Sequence, residues 1–411
     1  MDWNYKLANS SLIKSMVKNK KRGPFNLPTL PPHIEYGELV EHIAKAHAAL
    51  ARLDEMLKHM GGNASALDRT FEQTFFTQEA VLSSKIEGTQ VTLEDVLREE
   101  GKDLKIEPEN TERERDIVEV FNYRRAMRQG LAMIEGGHTL SENKVKELHR
   151  VLLRSVRGKT RAPGEFRKEQ VYIAPEGTPM DEARYIPPSP VSVPALYSNF
   201  DRYLNGDNSE RDPLVQIAIA HYQFEAIHPF MDGNGRVGRL LIPLFLYRRK
   251  VIARPLLYIS KYFEAHRRDY YDLLADVSYK DAWIPWVRFF LHGLCEQAEE
   301  ATLLGRSIIQ LRNEYRGHLA EFHSTYAFNL LDAIFQYPYF TPSTIRQVSG
   351  IKNSQTVLTL ISKFVTAGIL KDMEPGKQRN KMYAFFPLID LLEEKKKSRG
   401  KPVQKKRVTR K

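Results

Sequence analysis

Residues 212–250 constrain this chain more than any other stretch. Asp212-Pro213 opens a helical pattern, with Asp suited to the N-cap and Pro to the first helical position. Leu214, Ile217, Ala218, His221 and Phe224 share one face of that helix, which stops before His228-Pro229. A second helix is predicted from near Gly235 to Lys250, with Pro243 expected to kink it or loosen a turn. The twelve residues His228-Pro229-Phe230-Met231-Asp232-Gly233-Asn234-Gly235-Arg236-Val237-Gly238-Arg239 hold a candidate base, a metal-seeking carboxylate, three glycines and two arginines. Glycines let backbone N–H groups approach a ligand closely. Arginines present planar donor forks that suit phosphate oxygens. The start of the following helix adds free N–H groups and the positive end of a dipole. These residues point to a polyphosphate held beside a group that can take a proton.

Three look-alikes fail on context. Gly233 to Gly238 matches G-x-G-x-x-G, but a capped helix precedes it where a dinucleotide fold needs a strand. A calcium loop starting at Asp232 would need Glu at its twelfth position, where Pro243 stands. No G-x-x-x-x-G-K-[ST] stretch occurs. A plain glycine turn explains the glycines, but not His228, Asp232, Arg236 and Arg239 arriving together. Arg236 and Arg239 lie three apart and share a helix face.

With 411 residues the chain is long enough for two or three domains. The apolar run after the motif, Leu240 to Tyr247, is far shorter than the roughly 20 residues of a membrane span. Met1-Asp2-Trp3-Asn4-Tyr5 lacks the order of a signal peptide. Cys295 is the single cysteine, which excludes a disulfide framework and a cysteine metal cluster and makes a reducing cytoplasm the simplest home. Ten basic residues and no acid lie between Lys395 and Lys411, so residues 1–394 carry only +1 of the net +11. That leaves two readings of the tail, a solvated segment or a contact to nucleic acid or another acidic surface.

The rest reads as mainly helical. Residues 1–35 form a polar, proline-rich arm, and 36–110 a helical region with helices over 36–60, 67–86 and 92–100. A core over 111–306 carries helices at 109–133, 142–156 (after Ser141), 212–227, 235–250, 261–277 and 281–304. Within it, strands at 168–174 and 183–186 are predicted to form a hairpin around Pro175 to Pro179. Residues 307–336 read as a helical connector, and 341–386 as helix, turn, helix, hairpin, the order of a winged helix-turn-helix. Residues 393–411 are the basic tail.

The motif resembles H-[PA]-F-x-[DE]-G-N-G-R-x-x-R, the signature of the Fic family of protein adenylyltransferases. His228, Pro229, Phe230, Asp232, Gly233, Asn234, Gly235, Arg236 and Arg239 fill every position. The resemblance spans roughly residues 26–300 and implies the Fic helical fold with a short hairpin flap. It implies that His228 is the general base for transfer of AMP from ATP to a Ser, Thr or Tyr hydroxyl of a target protein, a role that suits an imidazole. Asp232 would bind Mg²⁺. Asn234 and the N–H groups of Gly233, Gly235, Val237 and Gly238 would hold phosphate, with Arg236 on the β- and Arg239 on the γ-phosphate.

By the same resemblance, Ser83-Ser84-Lys85-Ile86-Glu87-Gly88 matches the inhibitory motif [ST]-x-x-x-E-[GN], in which Glu87 pairs with Arg239 and displaces the γ-phosphate. Read bare, it is a helix end followed by glycine. Val171, Tyr172, Ile173 and Ala174 would form the flap that registers a target segment by strand addition. Tyr270, Tyr271 and Ser278 sit where relatives contact adenine, although core packing serves the tyrosines equally well. Self-modification and a homodimer stay open, as do removal of AMP by the same site and DNA binding through the winged helix and tail. No membrane partner is expected.

Overall fold

A computed structural model of the chain describes residues 24–58, 66–102, 111–154, 161–174, 177–206 and 212–393. Most of the expected N-terminal arm, the turn residues Pro175 and Glu176, and the basic tail lie outside the described residues. The chain divides into two compact units, one of residues 1–96 and 105–303, the other of residues 97–104 and 304–411.

The helices in chain order are α1 (Val40–Lys58), α2 (Ala66–Ile86), α3 (Leu93–Lys102), α4 (Glu112–Glu135), α5 (Glu142–Leu152), α6 (Val193–Asn205), α7 (Pro213–Ile227), α8 (Asn234–Arg248), α9 (Ser260–Ala265), α10 (Arg267–Lys280) and α11 (Trp283–His318). Two of the three unit boundaries fall inside α3 and α11. In the first unit α7 and α8 are buried nearly all round, including Leu214, Ile217, Ala220, Phe224, Val237, Leu240, Leu241 and Phe245. A helix apolar on every face belongs inside a core, and truncating one of these residues to Ala costs about 2–5 kcal/mol. The loop joining α7 to α8 is therefore held at both ends by the core.

Local signals explain several helix starts. Thr111 and Glu114 form a reciprocal capping box at α4. The Asp212 side chain accepts from Leu214 N at 2.8 Å at the start of α7, and its other oxygen meets His47 Nε2 at 2.6 Å. Ser141 precedes α5 without a side-chain cap bond. Helix α8 runs unbroken through Pro243.

Four expectations need correction. The hairpin of 168–174 and 183–186 is not a pair of regular strands: it reduces to one antiparallel bridge between Ile173 and Tyr185. Pro187, which would stand opposite Val171 in that register, has no N–H to extend the ladder. The helix expected over 261–277 breaks at His266 into α9 and α10. The helix expected over 281–304 continues to His318 as α11, so the connector over 307–336 is the end of α11, a 3₁₀ turn and one further helix. Helix α6 was not foreseen.

The second unit continues with α12 (Tyr326–Gln336), β1 (Tyr339–Phe340), α13 (Pro342–Ser349), α14 (Ser354–Thr366), β2 (Lys371–Asp372), β3 (Tyr383–Ala384) and α15 (Phe386–Leu392). The sheet has the order β1-β3-β2, antiparallel, with Ala384 opposite both Tyr339 and Lys371. Thr341 caps α13 and Asn353 caps α14. Leu330, Ile334, Ile345, Leu360, Phe364 and Phe385 are buried in its core. Residues 97–104 belong here: the Gly101 carbonyl accepts from Thr341 N at 3.1 Å and Thr344 Oγ1 at 3.0 Å. A side chain at 101 would collide with the Tyr339 carbonyl. No helix among the described residues is long and apolar enough to cross a membrane.

Candidate active site

Helix α7 ends at His228, whose backbone is left-handed at φ 50°, ψ 61°. For a residue other than glycine this costs on the order of 1 kcal/mol and persists only where its surroundings hold it. His228 Nδ1 lies 3.2 Å from the Glu225 carbonyl. A carbonyl only accepts, so Nδ1 carries the hydrogen and Nε2 keeps its lone pair. Burial lowers the imidazole pKa to about 4, against the raising effects of the Glu225 carbonyl, Glu87 and Asp232, so the ring is neutral at pH 7.

Asn234 starts α8 and turns its amide back on the loop. Its Oδ1 accepts from Phe230 N at 2.8 Å and its Nδ2 donates to Phe230 O at 2.9 Å. The side chain closes the turn, which leaves the main-chain N–H groups at the start of α8 to face a ligand. Phe230 is fully buried. Asp232 Oδ1 accepts from Gly233 N at 2.6 Å and lies 3.5 Å from Arg236 Nη2. Arg236 is buried, with Nη1 3.0 Å from Glu119 Oε2 on α4, while its Nε has no hydrogen-bond partner among the described residues. Val237 is core, and its N–H already donates to the Gly233 carbonyl at 3.0 Å, so the ligand role expected of it is not supported.

Arg239, 1 % exposed, meets the end of α2 and the turn after it with three bonds: Nη2 to Glu87 Oε1 at 2.6 Å, Nε to Ser83 Oγ at 2.9 Å and Nη2 to Ser83 O at 3.0 Å. Burial is the largest single effect and works against ionisation of Glu87, but the charge and hydrogen bond of Arg239, with Arg236 and His228, together outweigh it and hold the carboxyl below its ordinary pKa. Gly88 follows at φ 101°, a conformation suited to glycine. A side chain at Gly235 would run into the Glu87 carboxylate and the Arg239 guanidinium, so this glycine permits the pair to form.

Of the residues expected to contact adenine, Tyr270 is 1 % exposed and its hydroxyl meets His221 Nε2 at 2.9 Å, within an aromatic cluster that includes Phe263 and Trp286. Tyr271 is half-buried under the Arg184 guanidinium, and Ser278 Oγ is 2.9 Å from Tyr222 OH. Of the residues expected to form the flap, Tyr172 is exposed, and Val171, Ile173 and Ala174 are half-buried beside the single bridge.

Four neighbours of the site were given no role of their own by the sequence. His149 Nδ1 accepts from Gly164 N at 2.7 Å, so its Nε2–H donates to the Asp232 carbonyl at 2.9 Å while the ring stacks on Phe230. It stands on the apolar stripe Val145, Leu148, Leu152 of α5, the one available signal. Arg167 donates to the His228 carbonyl at 2.8 Å. Glu119 holds Arg236. Glu225 is pushed up to about 8 by burial, with Arg239 opposing and Glu87 reinforcing the shift.

Residues 139–246 match the Fic/DOC family and residues 40–132 the Fic/DOC family N-terminal model. Among curated relatives, the protein adenylyltransferase Fic of Culex quinquefasciatus is 39 % identical over 127 residues, covering 31 % of this chain and 22 % of the relative. That of Aedes aegypti is 28 % identical over 254 residues, covering 61 % of this chain and 47 % of the relative. The chain thus spans less than half the length of these relatives. Among solved structures, a Fic family protein from Desulfovibrio desulfuricans G20 shares the fold at a TM-score of 0.54 and 23 % identity, covering 87 % of this chain and 98 % of that one. Fic-1 from C. elegans does so at 0.50 and 23 %, over 66 % and 74 %. With His228 to Arg239 inside the first matched segment and Glu87 inside the second, the chain belongs to the Fic/DOC family.

Proposed function

We propose that this chain transfers AMP from ATP to a hydroxyl of a target protein, and that Glu87 keeps the resting site off. The observation that carries the reading is the Arg239 guanidinium, buried at the start of α8 near the candidate base and occupied by Glu87 and Ser83. The curated relatives' name, protein adenylyltransferase, supports the reaction class.

His228 Nε2 takes the proton of a Ser, Thr or Tyr hydroxyl as its oxygen bonds the α-phosphorus. The bond from that phosphorus to the bridging oxygen breaks, and diphosphate leaves. The N–H groups opening α8 receive the developing phosphate charge. Arg236, with a buried Nε still free to donate, takes the β-phosphate, and Arg239 takes the γ-phosphate once Glu87 withdraws. Mg²⁺ accompanying ATP would be held by Asp232 and would neutralise phosphate charge. Such an ion draws its other ligands from phosphate and water, consistent with no group of three or more candidate ligand side chains among the described residues.

Incubation with labelled ATP and Mg²⁺ tests the reading. Wild type is expected to label weakly, Glu87→Gly strongly and His228→Ala not at all. Absence of label from every form, self-modification included, refutes it. Glu87-dependent release of AMP from a modified target would replace transfer with removal.

A further inference from the structure

Arg167 is a buried cation whose hydrogen bonds run to main-chain carbonyls. It is 2 % exposed. Nε donates to His228 O at 2.8 Å, Nη1 to Glu169 O at 3.2 Å, and Nη2 to Pro188 O at 2.5 Å and Ile227 O at 3.4 Å. Its own N–H donates to Pro229 O at 2.9 Å. One residue therefore holds three consecutive carbonyls, at 227, 228 and 229. The middle one belongs to the candidate base, at the residue whose backbone is left-handed.

The remaining bonds reach both legs of the flap. Glu169 begins the leg that leads through Gln170 to Ile173, and Pro188 ends the leg that returns from Tyr185. Gln170 Nε2 ties the two legs, donating to Val171 O at 3.0 Å and Pro187 O at 2.9 Å. Burying a guanidinium with only carbonyl partners is unfavourable. A neutral side chain would suffice for packing, whereas only the planar fork reaches carbonyls in several directions at once.

We infer that Arg167 is a positioning residue that makes the target-docking edge and the His228 base one piece, so that a target hydroxyl registered on the flap meets a base held by the same side chain. This rests on the transfer reading above and adds how base and target are aligned.

The test uses the full chain in a Glu87→Gly background, with Arg167→Lys and Arg167→Ala added. Placement errors near 1 Å lower rates about a hundredfold. Arg167→Lys is expected to lower kcat by roughly that factor while KM for ATP stays within about threefold, because Asp232, Arg236 and Arg239 are untouched. Free guanidinium ion is expected to restore part of the rate of Arg167→Ala and none of the parent's. Unchanged kcat in Arg167→Lys, or loss of kcat and ATP affinity together, overturns the proposal. Should neither variant fold, Gln170→Ala loosens the same flap legs without disturbing a buried charge. It must lower kcat at unchanged KM for ATP, and an unchanged kcat overturns the proposal. If the Glu87→Gly parent itself fails to label, the transfer reading falls and this one with it. Label in parent and Arg167→Lys alike rejects the Arg167 role alone.

Discussion

Replacing Glu87 by Gln tests the closed site through a balance of free energies. The pair joins a guanidinium 1 % exposed to a carboxylate side chain 29 % exposed, at 2.6 Å. Exposed pairs contribute about 0–1 kcal/mol, and breaking a fully buried one costs about 3–5 kcal/mol. A pair with one buried and one partly exposed member lies between, at about 2 kcal/mol. Gln keeps the shape and loses the charge, so the unliganded fold should lose that amount. At roughly 2–4 °C per kcal/mol for units of this order of size, the melting transition falls by about 4 °C or somewhat more. If ATP must displace Glu87 from Arg239, the same free energy returns on binding, and Glu87→Gln binds Mg·ATP up to roughly thirtyfold more tightly. Thermal melts across an ATP series, with an independent Kd, read both quantities. Destabilisation without a matching gain in affinity would show that Arg239 and ATP do not share a partner, and the argument would fail.

His149 and His221 are buried, and burial lowers them to about 4 and about 3. Since their ordinary value is 6.5, the unfolded chain takes up protons first as pH falls. Their contribution is complete above pH 6.5 and is lost progressively as pH falls towards 4 and below, at about 1.4 kcal/mol per pH unit per histidine. Urea unfolding at pH 7.5, 6 and 5 should show this slope, and His149→Asn should flatten it. Asn234→Asp removes the donor to the Phe230 carbonyl and sets two oxygens against each other, so a loss of about 2–3 kcal/mol is expected in chemical denaturation. Gly235→Ala intrudes on Glu87 and Arg239. Its loss of stability should be smaller in a Glu87→Gly background than in wild type, as a double-mutant cycle would measure.

The loop was legible because its residue types are unusual in combination: glycines, paired arginines and a His-Pro leave a local pattern. Ser83 to Gly88 read bare is only a helix end, and its pairing with Arg239 was expected from the family resemblance alone. Arg167 leaves none, and His149 only its place on the apolar stripe of α5. Both act on main-chain carbonyls distant in sequence, and a carbonyl has no letter in the sequence. Helix α6 was hidden by Pro187, Pro188, Pro190 and Pro194, which together look like irregular chain. Yet Pro194 sits in the first helical turn, where its missing N–H is not needed. The flap failed in the opposite sense, because alternating residues over 168–174 suggested a ladder that Pro187, without an N–H, cuts to one bridge.

The Gly101 carbonyl waits for partners 243 residues away, at Thr344, and nearly as far, at Thr341. During synthesis, which proceeds from the amino terminus, residues 97–104 emerge long before the strand and helix they join. Throughout that interval the Gly101 carbonyl lacks the partners it has in the folded unit. The second unit therefore becomes whole only after Thr341 and Thr344 have emerged, and a fragment starting at residue 304 would lack one of its own pieces. Any division of this protein into separately expressed parts has to carry residues 97–104 along with the C-terminal third, as a supplied peptide or a permuted connection.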